Sequence, residues 1–296
     1  MIKHYLKVAF RNLMKYKTQS LVSIIGLAVG FTCFALSALW IRYEMTYDNF
    51  HEGADRIYLV RAHYANEPGT SKFTPYPLMK YLQDKMPEIE AVTAFTAHHV
   101  KFRMEDTEQE IGMIAADSVF MNFFDIQLLK GTVNFLKCDG QEVAITKEFA
   151  KRLFSKEEDA LGKEVEVGRR VCKIGAIVSG WSNHSNIPYN ILAPARHSPR
   201  WGSSNEQLFI RVRERTDIDV FRTKMSTIRI NDIEKESELS DLLITRMSAL
   251  RYSDYVDKAD VVISFSYIFY FSLAGGLVII CSLFNYLTLF ISRLCM

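Results

Sequence analysis

Two long apolar stretches without charged residues bracket a mostly polar middle segment. The first covers residues 18–41 and the second covers residues 261–292. About 20 apolar residues in a helix cross the ~30 Å hydrocarbon layer of a bilayer, so both stretches are long enough to do so. The pattern predicts two transmembrane helices, 18–42 and 261–292, on either side of an extracytoplasmic domain at 43–260.

The middle segment carries shorter patterns that are typical of mixed α and β structure. Residues 56–63 alternate as a strand does, and 164–167 and 170–178 read as paired strands around a turn at Gly168. Residues 181–203 are rich in Asn, Ser, Pro and Gly and are predicted to be mainly loop. The predicted fold class is a membrane protein of the α+β class. An N-terminal interfacial helix and two transmembrane helices flank a mixed α/β extracytoplasmic domain.

The short N-terminal flank sets the predicted orientation. Residues 1–17 contain Lys3, Lys7, Arg11, Lys15 and Lys17. Short flanks rich in Lys and Arg stay in the cytoplasm. Residues 1–17 and 293–296 are therefore predicted to be cytoplasmic, and the large domain periplasmic, in a bacterial inner membrane. A signal peptide is disfavoured, because the first stretch is too long for an h-region and no small-x-small cleavage site follows.

The basic residues of the flank recur every four positions, which places them on one side of a helix. Lys3, Lys7, Arg11 and Lys15 form this stripe. One interpretation is a charged flank that only sets topology. The other is an amphipathic interfacial helix that contacts anionic lipid headgroups and a cytoplasmic partner.

Composition and motifs narrow the function classes. The net charge is only +2, which provides no basic field for nucleic acid. The sequence contains no P-loop, no G-x-S-x-G elbow and no H-E-x-x-H motif. The adjacent His98 and His99 would point to opposite faces of a strand, which is poor geometry for one metal ion. We therefore expect no catalytic, cofactor or metal site in this chain.

Two cysteines, Cys138 and Cys172, lie in the predicted outer domain. A disulfide is chemically permitted outside the cytoplasm. Two separate buried thiols are the favoured interpretation, and the disulfide stays open as the alternative.

Several ordered motifs resemble one family of membrane proteins. They are the A-x-R-N-L opening within 6–13, the glycine-containing stretch 26–30, the E-x-x-Y-D-x-F-H-x-x-x-D-R-I-Y-x-V signature at 44–60, the A-x-x-L-F…G module within 149–163, and 285–289. Together they resemble the MacB-like (macrolide-exporter and FtsX-type, type VII) ABC transporter permeases, especially their Bacteroidetes-type branch.

The resemblance implies a fold, partners and a mechanism. Permeases of this family carry a mixed α/β periplasmic core domain with a smaller lobe, dimerise with a second permease copy, and sit on ABC ATPase subunits. ATP and Mg would be bound by that separate ATPase, so the chain itself is expected not to be an enzyme. ATP hydrolysis by that ATPase would drive efflux or mechanotransmission, with a periplasmic adaptor or outer-membrane protein as a further partner.

The chain departs from the family pattern where it stops. Family members have four or eight spans, whereas this sequence ends at Met296, just after the second apolar stretch. We therefore expect a permease subunit or the N-terminal part of one. A truncated gene, a split permease or an excerpt would each account for the ending.

The resemblance and the patterns together give provisional roles to two further groups of residues. Close helix packing is expected at Gly26, Gly30, Gly275 and Gly276, although the first pair is equally compatible with a lipid-facing helix. A polar network that couples the first span to the core domain is expected at Glu44, Asp48, His51, Asp55 and Arg56. A purely structural role for that network is the alternative.

Two other classes of protein remain open from sequence alone. One is a two-span, membrane-anchored sensor with an extracytoplasmic ligand-binding domain, which a deep apolar pocket would favour. The other is a membrane-anchored enzyme, which a pocket of perturbed carboxylates would favour.

Overall fold

The structure is a computed structural model that describes residues 11, 14–15, 17–64, 69–105, 107–137, 141–181, 184–230, 239–252 and 265–294. The chain divides into two compact units, which are described separately. The helical unit comprises Met1–Thr46 with Ile263–Met296, and the domain comprises Tyr47–Val262.

The helical unit contains two long helices, α1 (Lys17–Met45) and α6 (Phe265–Leu294). They pack against each other, with the ring centroids of Trp40 and Phe271 5.1 Å apart. Polar side chains within α1 bond to their own helix: the Thr32 hydroxyl donates to the Ala28 carbonyl at 2.8 Å. This bond joins residues one helical turn apart.

Among the described residues, the stretch Ile24–Met45 is the one that is long and apolar enough to cross a membrane. The apolar stretch recognised in α6, Phe269–Cys281, is shorter. The N-terminal apolar helix is thus present as the sequence predicts. A second transmembrane helix at 261–292 stays a prediction.

The domain alternates strands with short helices. In chain order the elements are β1 (Ile57–Tyr64), β2 (Thr70–Ser71), β3 (Thr74–Pro75), α2 (Pro77–Lys85), β4 (Ile89–Met104), β5 (Thr107–Ala116), α3 (Ser118–Phe123), β6 (Leu128–Gly131), β7 (Glu142–Thr146), α4 (Lys147–Leu153), β8 (Glu164–Val167), β9 (Arg170–Val178), β10 (Ile191–Pro194), β11 (Ser204–Val212), α5 (Ile218–Ser226) and β12 (Leu239–Arg246).

The strands form one continuous hydrogen-bonded sheet in the order β12-β1-β11-β4-β5-β10-β7-β9-β6. Strand β8 pairs with both β9 and β4, where Val167 lies opposite Phe102. That pairing closes β4, β5, β10, β7, β9 and β8 into a six-stranded ring. The long strand β4 belongs to both parts, since its first half pairs with β11 and its second half with β5.

The open part of the sheet, β12-β1-β11-β4, is buried on both faces. Along β1, Ile57 and Leu59 face a cluster that includes Phe120 of α3. The intervening Tyr58 and Val60 face a second cluster, to which α2 and α5 contribute. This two-residue alternation is what places helices on both sides of the strand.

The interior of the six-stranded ring forms a third cluster. Phe102 of β4 and Phe149 of α4 meet there, with ring centroids 5.1 Å apart. The Thr146 hydroxyl caps α4 by accepting the Phe149 N–H at 3.2 Å, which starts the helix directly after β7. Helix α4 therefore covers the end of the ring at which β7 finishes.

The mixed α/β character of the domain agrees with the sequence prediction, and the strands 164–167 and 170–178 lie where the pattern places them. The prediction for 181–203 misses β10, a four-residue strand that pairs with β5 and β7. Cys172 is buried, and whether it pairs with Cys138 stays a prediction. Cys138 lies outside the described residues.

Candidate functional site

Asp48, the second residue of the domain, is completely buried. The backbone φ of Asp48 is 57°, in the left-handed region that Asp tolerates better than most residues. Its carboxylate accepts hydrogen bonds from the Ser185 hydroxyl at 2.5 Å, the Asn186 side-chain amide at 2.6 Å and the Asn186 backbone N–H at 3.1 Å. The carboxylate thus holds a loop that begins about 137 positions further along the chain.

Backbone and ring contacts strengthen the same junction. The Asp48 N–H donates to the His184 carbonyl at 3.2 Å, and the rings of Tyr47 and His184 lie 4.0 Å apart. Burial raises the pKa of Asp48, and the hydrogen bonds from Ser185 and Asn186 oppose that change. Asp48 together with residues 184–186 is called the Asp48 clamp below. It joins the first residues of the domain to its interior through a buried acceptor with several donors.

His51 follows the clamp and lies among aromatic rings. Its ring centroid is 4.9 Å from that of Trp181, edge-on, and 5.1 Å from that of Phe124. Burial, with a smaller contribution from Arg211, lowers the pKa of His51 to about 4. The ring is therefore neutral near pH 7, and its buried Nε2 atom has no hydrogen-bond partner among the described residues.

An open groove of about 400 Å³ runs beside His51. It is lined by Phe50, His51, Glu52, Phe124, Asp125, Ile126, Ser179, Gly180 and Trp181. The Trp181 indole N–H donates to the Ile187 carbonyl at 2.9 Å. This bond ties the aromatic wall of the groove to the segment that leaves the Asp48 clamp.

The loop that carries the clamp lies directly on strand β5. The Asn190 N–H donates to the Gly112 carbonyl at 2.8 Å. A Cβ atom at position 112 would overlap the Pro188 carbonyl, so only glycine permits this close approach. The clamp is therefore connected through a short, closely packed segment to β10 and the six-stranded ring.

The five residues predicted to couple span and domain lie in different surroundings, and their joint role in coupling stays a prediction. Arg56 contacts Glu90 at 2.5 Å and the Val212 carbonyl at 3.1 Å, which fastens the start of β1 to its neighbours. Asp55 is exposed. Glu44 lies in the last turn of α1, in the helical unit. Asp48 contacts Ser185 and Asn186, and the ring of His51 contacts that of Trp181.

The predicted packing glycines differ from one another in their surroundings. A Cβ at Gly275 would lie 3.5 Å from the Ser37 side chain, so Gly275 faces α1. A Cβ at Gly276 would have no described heavy atom within 4 Å. Gly30 is buried, and Gly26 is partly buried.

The predicted basic stripe is described only in part. Arg11 and Lys15 are exposed helical residues. Lys3 and Lys7 lie outside the described residues, so the stripe as a whole stays a prediction.

A second polar cluster surrounds His197. Its Nδ1 lies 3.2 Å from the Glu206 carboxylate, its Nε2 lies 3.7 Å from the Asp117 carboxylate, and its ring stacks on Tyr76 at 4.0 Å. Burial acts against the charge, but the nearby carboxylates of Asp117 and Glu206 prevail and raise the pKa of His197 to about 9. A ring that stays protonated near pH 7 acts as a structural cation and is a poor general base.

Within the described ranges, no group of three or more His, Cys, Asp or Glu side chains is arranged to hold a metal ion. The carboxylate of Asp48 accepts its hydrogen bonds from protein groups, and the ring of His197 lies against protein carboxylates.

The profile of the MacB-like periplasmic core domain matches residues 20–228. The chain belongs to this family. The match begins within α1 and continues through α5, so it includes the Asp48 clamp, His51 and the whole six-stranded ring. The family resemblance drawn from the sequence motifs is confirmed.

Solved structures with a similar fold come from several bacteria. A domain assigned to a permease protein of Porphyromonas gingivalis is 19% identical, with a TM-score of 0.54, over 66% of this chain and 92% of that one. The extracellular domain of the ABC-type transporter YknZ from Gram-positive bacteria is 15% identical, with a TM-score of 0.47, over 64% and 99%. The periplasmic region of MacB from Actinobacillus actinomycetemcomitans is 13% identical, with a TM-score of 0.47, over 67% and 92%. No curated protein gives a significant match.

In this MacB-like domain, sequence reasoning identified one half of the clamp and missed the other. Asp48 stands in the motif that precedes β1, whereas Ser185 and Asn186 lie in a stretch that looks like ordinary polar loop. Nothing in the local pattern pairs residues so far apart. The one available signal is an Asp with Tyr47 before it and Phe50 two residues after it, which favours a buried carboxylate that needs donors.

Proposed function

We propose that this chain is a permease subunit, or the N-terminal part of one, in an ABC transporter complex. A separate ATPase would bind ATP and Mg, and the permease would couple ATP hydrolysis to periplasmic efflux or mechanotransmission. Membership of the MacB-like periplasmic core domain family is the observation that carries this proposal.

The proposed arrangement is a multi-pass protein of the bacterial inner membrane. Its N-terminus would be cytoplasmic, with the basic stripe at the inner leaflet or the ATPase, and the domain would be periplasmic. The apolar stretch Ile24–Met45 and the extracytoplasmic nature of the family support this topology. A second permease copy and a periplasmic adaptor or outer-membrane protein would complete the complex.

The Asp48 clamp supplies a physical route for coupling. Asp48 follows the end of α1 at Met45 by three residues, so little free chain separates the helix from the buried carboxylate. A force on the chain at Asp48 would be opposed by the hydrogen bonds to Ser185 and Asn186. The clamp would therefore pass displacement of the helix end to the loop at 184–190.

Co-purification tests the proposal. The tagged full chain is solubilised in detergent from membranes of its native host, captured, and analysed by mass spectrometry. We expect a soluble P-loop ATPase of the ABC class in near-stoichiometric amount, with a second permease chain. Absence of any ATPase, when a known transporter treated in parallel retains its own, would contradict the proposal and favour the rival sensor.

A further inference from the structure

The six-stranded ring has a pocket at the end opposite α4. The pocket measures about 360 Å³. Every strand of the ring contributes at least one residue to its lining: Thr96 from β4, Met113 from β5, Val143 from β7, Val167 from β8, Cys172 from β9 and Ala193 from β10. Mouths of small closed barrels are a common position for ligand sites.

The bottom of the pocket is apolar and closed. Val143, Val167 and Cys172 are each less than a tenth exposed, and all three belong to the cluster that fills the ring. Behind them, Phe102 and Phe149 occupy the interior up to α4. The pocket is therefore a closed-ended cup and does not pass through the ring.

The rim of the cup is cationic. Arg169 and Arg170 stand at the β8–β9 turn and supply this charge. Arg196, which follows β10, and His98 of β4 also line the cup. The turn is held in place because Gly168, at φ 64°, donates its N–H to the Lys101 carbonyl at 2.7 Å.

No acidic residue lines the cup among the described residues. The nearby Glu166 contacts Arg103, at 3.3 Å, and is not part of the lining. The guanidinium groups of Arg169 and Arg170 therefore meet no carboxylate in the described lining of the cup.

We propose that this cup binds a small amphiphile with an anionic headgroup, carboxylate or phosphate, and a short apolar tail. Guanidinium groups pair with carboxylate and phosphate in a planar, bidentate manner, which suits a rim of arginines. The tail would occupy the apolar cup, whose volume lies within the range of small-molecule pockets. This site is independent of the proposed transport function.

Binding by the full chain in nanodiscs tests the site. Four probes separate headgroup from tail: octanoate, octyl phosphate, neutral octanol, and acetate, which lacks a tail. Equilibrium dialysis with radiolabelled probes measures saturable binding, and empty nanodiscs give the background. We expect saturable binding of octanoate or octyl phosphate, with at least about tenfold weaker binding of both octanol and acetate.

The comparison between octanoate and octyl phosphate identifies which headgroup the rim prefers. Octanol that binds as well as octanoate would overturn the assignment of an anion site. Absence of saturable binding by both anionic probes would overturn the proposal altogether.

Variants locate the binding at the cup. Replacing both rim arginines, Arg169→Gln with Arg170→Gln, should weaken binding by about tenfold or more through loss of charge-assisted hydrogen bonds. Arg200→Gln, at an exposed position outside the cup, is the matched control and should bind as wild type does. Ala193→Leu should block the tail while leaving the rim intact. Unchanged binding in both the double variant and Ala193→Leu would refute this location.

Discussion

Replacing Asp48 by Ala should destabilise the domain strongly, because the side chain is a buried acceptor for three donors. The Ser185 hydroxyl, the Asn186 amide and the Asn186 backbone N–H would lose their common partner. An unsatisfied buried donor costs about 1–3 kcal/mol. Since Asn186 is only partly buried, we take the lower part of that range and expect a loss of about 3–5 kcal/mol.

Thermal unfolding of the full chain in nanodiscs measures this loss. In a domain of about 150–250 residues, 1 kcal/mol corresponds to about 2–4 °C, so Asp48→Ala should lower Tm by at least about 6 °C. Asp48→Asn keeps the shape of the side chain and its tolerance of positive φ, and should lie between Ala and wild type. Asp55→Ala removes an exposed carboxylate from the same segment and should change Tm by less than about 2 °C.

Amide hydrogen exchange provides a local readout of the same prediction. The Asn186 N–H donates to Asp48 directly, so its protection should fall in Asp48→Ala and stay unchanged in Asp55→Ala. A Tm for Asp48→Ala within 2 °C of wild type, together with unchanged exchange at 184–186, would refute the assignment of the clamp.

Three further predictions follow from the pKa shifts and from helix packing. Burial lowers the pKa of His51 from an ordinary 6.5 to about 4, so the domain should lose stability as pH falls from 6.5 towards 4. His51→Phe should flatten this acidic part of the plot of Tm against pH, and an unchanged plot would count against the role given to His51. The pKa of His197 rises to about 9, so the stability that its protonated ring contributes is full below pH 6.5 and lost as pH rises through 9. His197→Gln should remove this alkaline loss of stability, which amounts to no more than about 1.4 kcal/mol per pH unit. An alkaline loss that persists in the variant would contradict the role given to His197. Gly275→Leu should separate α1 from α6, while the control Gly276→Leu should not. The separation is measured as a loss of disulfide crosslinking between cysteines placed at Trp40 and Phe271, in a background without native cysteines. Equal crosslinking in the two glycine variants would disprove the packing role of Gly275.

Local sequence patterns predict those helices and strands that depend on residues close to one another in the chain. Alternation identifies β1, the β8–β9 hairpin is marked by its turn at Gly168, and the charge-free run identifies α1. The sequence pattern does not predict strand β10, because Ile191–Pro194 is only four residues long and follows a polar loop. Its existence depends on pairing with β5 and β7, which a linear pattern does not contain.

The candidate sites depend even more on contacts between residues that are distant in the sequence. Asp48 stands out as a motif residue, but its donors come from a loop with no pattern of its own. Arg169 and Arg196, which are distant in sequence, line the same cup because β9 and β10 both pair with β7. Sequence therefore identifies candidate residues, while long-range strand pairing decides which of them come together.

The most direct measurement of the central claim is nucleotide-dependent amide exchange at the Asp48 clamp. The permease is reconstituted in nanodiscs with its co-purified ATPase, and exchange at 184–190 is compared without nucleotide and with ATP bound to a hydrolysis-deficient ATPase. We expect ATP binding to change exchange in this loop in wild type, and Asp48→Ala to abolish the change while the ATPase still closes. Identical exchange at 184–190 in both nucleotide states, with closure of the ATPase verified in the same samples, would contradict it.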